Sequence, residues 1–199
     1  MRSLRLWTAC CAVVLLVGSV VPADAQTGFR SVSDAKGLFS ISLPADWQVA
    51  NNEVTDAVFD GVRRSPLASH VLSTLAAHSV GDLDTLAILA VIALDLPHHV
   101  PASEFAGIAR SAFPPEWTIT QDGRATIAGR DAYYVYYTMK EHGMGLYMVM
   151  SYFPIGRAGF LVVGGTLNEP AAIQRNFATI SRMLETFRTS PALGAAPSY

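Results

Sequence analysis

Cysteine is almost missing from this chain. The 199 residues hold two, Cys10 and Cys11, and both lie inside an N-terminal apolar run. Everything after that run therefore has no disulfide, no thiol nucleophile and no thiolate metal site. Charge is sparse as well, at 15% of residues against 51% hydrophobic. What charge there is does not lean basic. Of 14 Lys and Arg and 16 Asp and Glu, Arg2, Arg5 and Asp24 fall in the first 25 residues, which leaves 12 against 15. The only basic cluster left is the pair Arg63-Arg64, which argues against nucleic-acid binding, because backbone affinity comes from many cationic contacts. The sequence also has no G-x-S-x-G, no H-E-x-x-H, no Gly-rich phosphate loop and no Ca loop, so the common catalytic frameworks are missing.

What is present begins with a targeting segment. "MRSLR" is a basic start, "LWTACCAVVLLVGSVV" an uncharged apolar core, and "PADA" places Ala23 and Ala25 as the small residues of a cleavage site. These are the three parts of a secretory signal peptide. Pro22 follows a run too short for a full span of about 20 residues. Residues 1–25 are thus expected to be removed. That leaves residues 26–190 as a single domain and 191–199, "PALGAAPSY", as a disordered tail. The protein is expected to be periplasmic or secreted, with no stable membrane span after cleavage. The cysteines precede most of the apolar core, whereas a lipid-modified cysteine would follow it.

Past a polar lead-in, "LFSIS" alternates, with Phe39, Ile41 and Leu43 on one side and Leu38, Ser40 and Ser42 on the other. Period two marks a strand. Pro44 ends it and "DWQVA" restarts, with Trp47 and Val49 on one face. "SPLASHVLSTLAAH" reads either as a short helix capped by Ser65 or as a strand. "TLAILAVIALDL" is apolar on both faces, so it should be a central strand covered on both sides, ended by Asp95 and Pro97. "PASEFAGIARSAF" spaces Phe105, Ile108, Ala109 and Ala112 as one helical face, stopped at Pro114-Pro115. Residues 116–167 form a β meander, with turns expected at the glycines of "QDG", "AGR", "EHGMG" and "PIGRAG". Its strands are bulky on both faces: Tyr133, Val135, Tyr137 and Met139 on one, Tyr134, Tyr136 and Thr138 on the other. Such a sheet needs cover on each side. The last helix supplies one cover. Asn168 is its expected N-cap, and Ile173, Phe177, Ile180, Leu184 and Phe187 form its apolar stripe. Glu169 near its start and Arg182 and Arg188 near its end suit the helix dipole.

The order of elements and the opening "FSISLPADWQV" resemble the PsbP-like superfamily, which takes in PsbP, LpqN and DcrB-type envelope proteins. Its members often open with a strand, then "LP", then a small or polar residue and "W"; here these are Ile41, Leu43, Pro44, Asp46 and Trp47. The resemblance implies an α+β fold: an antiparallel sheet of about six strands covered by helices on both faces, an α/β/α sandwich. It brings no catalytic residues and no cofactor. It also makes "LPADW" a corner of the fold, with Trp47 a core plug.

Two groups of residues remain as site candidates. His98 and His99 follow Pro97, near Asp95 and Glu104, and His142 sits beside Glu141; imidazoles and carboxylates of this kind bind Zn or Cu. Adjacent histidines on an extended chain point opposite ways, so they read as exposed loop residues and no metal site is expected. Tyr133, Tyr134, Tyr136, Tyr137, Tyr147 and Tyr152, with Met139, Met144, Met148 and Met150, either fill the core or line a pocket. Trp47, Tyr134, Tyr136 and Tyr147 are the candidates for a ligand or partner surface. The favoured reading is a non-catalytic binding domain for an envelope protein or a small ligand. Its rivals are a small hydrolase or metal-dependent enzyme without a recognisable motif, and a carrier of an apolar ligand. The export reading has a direct check. N-terminal sequencing of the exported protein should begin at Gln26, and an intact Met1 in the mature pool would refute cleavage.

Overall fold

The structure is a computed structural model, and it describes residues 28–51, 55, 59, 66–81, 85–96, 98–105, 107, 116–141 and 143–194. The signal segment, Ser65, Pro97 and His142 lie outside these residues, as do residues 108–115 and 195–199.

Among the described residues, ten strands build two antiparallel sheets. The strands are β1 (Phe29–Ser33), β2 (Phe39–Pro44), β3 (Trp47–Val49), β4 (Val71–Ser79), β5 (Ala87–Asp95), β6 (Thr118–Ile127), β7 (Arg130–Glu141), β8 (Met144–Ile155), β9 (Ala158–Leu167) and β10 (Arg188–Thr189). The larger sheet runs β3-β4-β5-β9-β8-β7-β6, and the smaller one β1-β2-β10. One long helix, α1 (Pro170–Glu185), and one helical turn, α2 (Pro191–Gly194), complete the described elements, with a 3-10 turn at Pro66–His70. The main sheet has seven strands among the described residues, rather than about six.

The best-read strands are those whose pattern leaves one solution. Phe39, Ile41 and Leu43 are buried while their neighbours are half-exposed. β5 buries its first eight residues because β4 and β9 flank it and both faces are covered. Two expectations need correction. The polar lead-in contains β1, held by its ladder to β2 rather than by apolar burial. "QDG" is no turn: it lies inside β6, paired with Val135 and Tyr134. The meander therefore has four strands, joined at the three other expected glycine turns by connections of two residues each, at 128–129, 142–143 and 156–157; Ala128, Gly129, Gly143 and Gly156 have positive φ, as such hairpin connections favour. The open choice at 66–79 resolves as both, a 3-10 turn followed by β4.

The covers on the two faces are unequal. On one face, α1 and the small sheet enclose Phe39, Ile41, Leu43, Trp47, Phe153, Phe160, Ile180 and Phe187. The helix comes close because β9 has Gly164 beneath it; a Cβ there would sit 3.1 Å from Ile180 Cδ1. Glu169, not Asn168, occupies the N-cap and makes no side-chain cap bond. On the other face the described cover comprises helical residues 102–105, Phe59 and the 3-10 turn. From them Phe59, Leu67 and Phe105 pack on the sheet. The expected tail starts with α2, whose Leu193 packs against the core.

Asp34 ties the two sheets together at the β1–β2 turn. It is 4% exposed and accepts the backbone N–H groups of Phe39 at 2.8 Å and Lys36 at 3.0 Å. Burial pushes its carboxyl up, but hydrogen bonds from the Ser73 hydroxyl and the Phe39, Lys36 and Leu38 N–H groups outweigh it and hold the carboxyl below its ordinary value. A depressed folded value means the charged form favours the fold. That stability is present above the unfolded value and is lost as pH falls through the folded one. Asp34→Asn should therefore be less stable at neutral pH and lose less on acidification. Denaturant melts at several acid pH values check this, and parallel losses in both proteins would remove Asp34 from the argument.

Candidate functional site

One helix cannot roof seven strands, and the gap it leaves is a groove of about 570 Å³ between α1 and the β6–β7–β8 side of the sheet. Its floor carries Tyr134 and Tyr136 of β7 and Tyr147 of β8; its helical wall carries Ile173, Phe177 and Leu184. Strand alternation sets the floor. Tyr134 and Tyr136 point to the α1 face, while Tyr137 and Tyr152, on the other face, are buried to about 1% exposure. The rings form a continuous array. Tyr136 lies 5.3 Å from Tyr134, 5.7 Å from Tyr147 and 5.5 Å from Phe177, and Phe177 meets Tyr147 edge-on at 5.4 Å. Tyr134 lies across Gly123 of β6, where a Cβ would come within 3.2 Å of its hydroxyl. Gln121 Nε2 donates to that hydroxyl at 2.9 Å.

The wall exists because α1 is rotated from the expected stripe. Its buried residues are Ala172, Asn176, Ile180 and Met183, so Ile173, Phe177 and Leu184 are only half-buried. Asn176 explains the rotation. Its Nδ2 donates to Thr166 Oγ1 at 2.7 Å and to the Leu86 carbonyl at 3.4 Å, and Thr166 donates to the same carbonyl at 2.9 Å. A polar residue in the middle of the helix was the available signal, overlooked because the apolar stripe next to it is cleaner.

Beyond Ala128 the groove adjoins a second hollow of about 550 Å³, with which it shares Thr126, Ala128 and Glu185. Arg130 and Arg188 stand at this far end. Arg130 Nη2 donates to Thr189 Oγ1 at 3.4 Å, and Arg188 Nη1 to the Phe187 carbonyl at 2.8 Å. The site thus has an aromatic end and a cationic end. Among the described residues the aromatic groove has one carboxylate, Glu185, and no histidine in its lining.

Three of the four candidate surface residues, Tyr134, Tyr136 and Tyr147, meet in this groove. Trp47 does not. It is 3% exposed and part of the core beneath the small sheet, and its carbonyl accepts Arg30 Nη2 at 3.0 Å; it plugs the core and offers no surface. The other tyrosines also serve packing. Tyr137 stacks on Trp117 at 4.7 Å, Tyr152 stacks on Phe105 at 3.9 Å, and Tyr133 donates to Asp122. His98 and His99 are exposed. His99 Nδ1 donates to the Gly156 carbonyl at 2.9 Å, and Asp95 pairs with Arg157 at 3.5 Å.

No protein-family model matches the chain, and no curated protein matches it in sequence. Solved structures are similar in fold. The Ran-binding protein Mog1p of Saccharomyces cerevisiae superposes with a TM-score of 0.55 at 9% identity, over 85% of this chain and 100% of its own. LpqN, involved in cell envelope biogenesis of Mycobacterium tuberculosis, gives 0.52 at 12% identity, over 82% and 91%. Cyanobacterial PsbP from Synechocystis sp. gives 0.52 at 11% identity, over 87% and 99%. The chain has the PsbP-like fold.

Burial pushes the Tyr136 phenol up, and repulsion from Tyr147 and Tyr134 adds to it. The Tyr136 hydroxyl therefore stays neutral to higher pH than an exposed one. In an alkaline titration Tyr136 should form phenolate later than an exposed tyrosine, and Tyr147→Phe should bring it partly back by removing one repelling charge. Ionisation of Tyr136 together with the exposed tyrosines would show a floor open to water.

Proposed function

We propose that the chain is an exported, non-catalytic binding domain that holds a segment of another envelope protein in the tyrosine groove. The observation that carries this is the pairing of a half-exposed aromatic floor with two arginines at one end. Exposed aromatic area of this kind marks contact surfaces. Neutral phenols and serines can bond a peptide backbone, while Arg130 and Arg188 fit a carboxylate. The segment would therefore carry aromatic or aliphatic side chains next to an acidic one. The groove is open along its length, which suits an extended chain better than a carried apolar molecule, which needs an enclosed cavity. Two of the similar structures support the reading by their described roles, a Ran-binding protein and a protein of envelope biogenesis. No helix among the described residues is long and apolar enough to cross a membrane.

A photo-crosslinking side chain tests this. Placed at Gln174, on the groove rim, it should give a discrete protein adduct in envelope extract. Placed at Arg182, exposed on α1 outside the groove, it should not. The adduct should vanish in Tyr136→Ala/Tyr147→Ala and weaken in Arg130→Glu. Equal labelling at both positions, or an adduct whose mass is that of a small molecule, would displace the peptide-binding reading.

A further inference from the structure

We propose that β6 pairs with β6 of a second copy of this chain, giving a two-fold dimer with one continuous sheet and two grooves on the same face. Among the described residues, β6 is the last strand of the main sheet. Its inner side is laddered to β7, and Thr118–Gln121, Arg124 and Thr126 are exposed. Such an edge offers a row of backbone donors and acceptors to another strand.

The sequence of this edge is complementary to itself about Gly123. An antiparallel pairing with its two-fold axis at Gly123 sets Gln121 opposite Ala125, Asp122 opposite Arg124, and Gly123 opposite its own copy. Symmetry makes the Asp122–Arg124 pair occur twice. Moving the axis by half a residue loses both pairs. Opposite charges directly across antiparallel strands stabilise the pairing, and like charges oppose it. Asp122 and Arg124 share one face of β6, since side chains two apart do. The hydroxyl of Tyr133 donates to Asp122. That bond holds the carboxylate at the edge. Gly123 puts no side chain at the axis, and it is the residue over which Tyr134 lies.

The register of β6 against β7 shifts between Ile119 and Gln121, so the regular stretch about Gly123 begins at Gln121. One feature ends the assembly at a dimer. The opposite edge of the sheet is β3, only three residues long, too short to continue a fibre. A two-fold axis normal to the sheet keeps each face with its like, so both α1 helices and both grooves lie on one side.

Sedimentation velocity of the purified chain over a concentration series tests the pairing. The unchanged chain should show a monomer–dimer equilibrium. Asp122→Arg and Arg124→Asp should each weaken self-association by about tenfold or more, since two attractive pairs become repulsive. Mixing the two variants in equal amounts should restore the dimer, because the exchanged charges then face each other across the seam. Arg124→Asp leaves the Tyr133–Asp122 bond in place, and an unchanged melting temperature for it keeps folding out of the comparison. A chain that stays monomeric at every concentration, single variants that dimerise as tightly as the unchanged chain, or a mixture that remains monomeric would each overturn the proposal.

Discussion

Both faces of the seven-stranded sheet have to be covered, because β5 and β9 bury nearly every residue on each side. Buried apolar area contributes about 25 cal/mol per Å², so a bare face on such strands would remove much of the driving force for folding. Seven strands at about 4.8 Å spacing make a sheet about 29 Å wide. A helix with its side chains covers only about 10 Å of that width. The small sheet widens the roof over the β3–β5 side, where Phe39, Ile41 and Leu43 meet Leu75, Leu89 and Val91. The β6–β7 side is left with a partial roof. The groove is a consequence of that shortfall, and its tyrosines are what the sequence places in the gap.

Polar contacts decide how the roof is set. Asn176, Thr166 and the Leu86 carbonyl form a closed buried network. A buried polar group without its partner costs about 1–3 kcal/mol, so any other rotation of α1 would be penalised by stranding Asn176. The network turns Ile173 and Phe177 toward the groove. At the other end of the helix, the Thr186 hydroxyl accepts the Ser42 N–H at 2.8 Å, and the Ser190 N–H donates to the Leu38 carbonyl at 2.8 Å. The chain after α1 is thereby stitched to β2. The helix, the small sheet and the groove wall are one mechanical unit.

Those elements were legible whose pattern admits one solution. Phe39, Ile41 and Leu43 alternate with polar residues, and β5 is apolar on both faces, so each had one plausible place. β1 was not legible because "FRSVS" carries little apolar pattern of its own and is a strand through its partner. "QDG" misled because glycine there answers the Tyr134 ring rather than a turn. The helix stripe was read one step around, since apolar spacing reports what is hydrophobic and not which residue is pinned by a bond. The site was half legible for the same reason. The tyrosine faces followed from alternation, whereas the groove required knowing how far α1 reaches across the sheet.

The groove lining is also where the molecule departs from what stability alone would select. Tyr134, Tyr136 and Tyr147 are half-exposed, at positions where small β-branched or polar residues would satisfy the strands. Ala128, which lines both hollows, has φ of 50°, a conformation that costs an L-residue about 1–2 kcal/mol and that glycine would adopt freely. Strained residues persist where the surroundings hold them for a purpose, and they gather at ligand-contacting sites. The PsbP-like fold is kept by chains of about 10% identity to this one, so what the sheet requires is a pattern rather than particular residues. The proposed binding role accordingly rests on positions the pattern leaves undetermined: the aromatic floor, Ala128, and the two arginines, Arg130 on the main sheet and Arg188 on the small one.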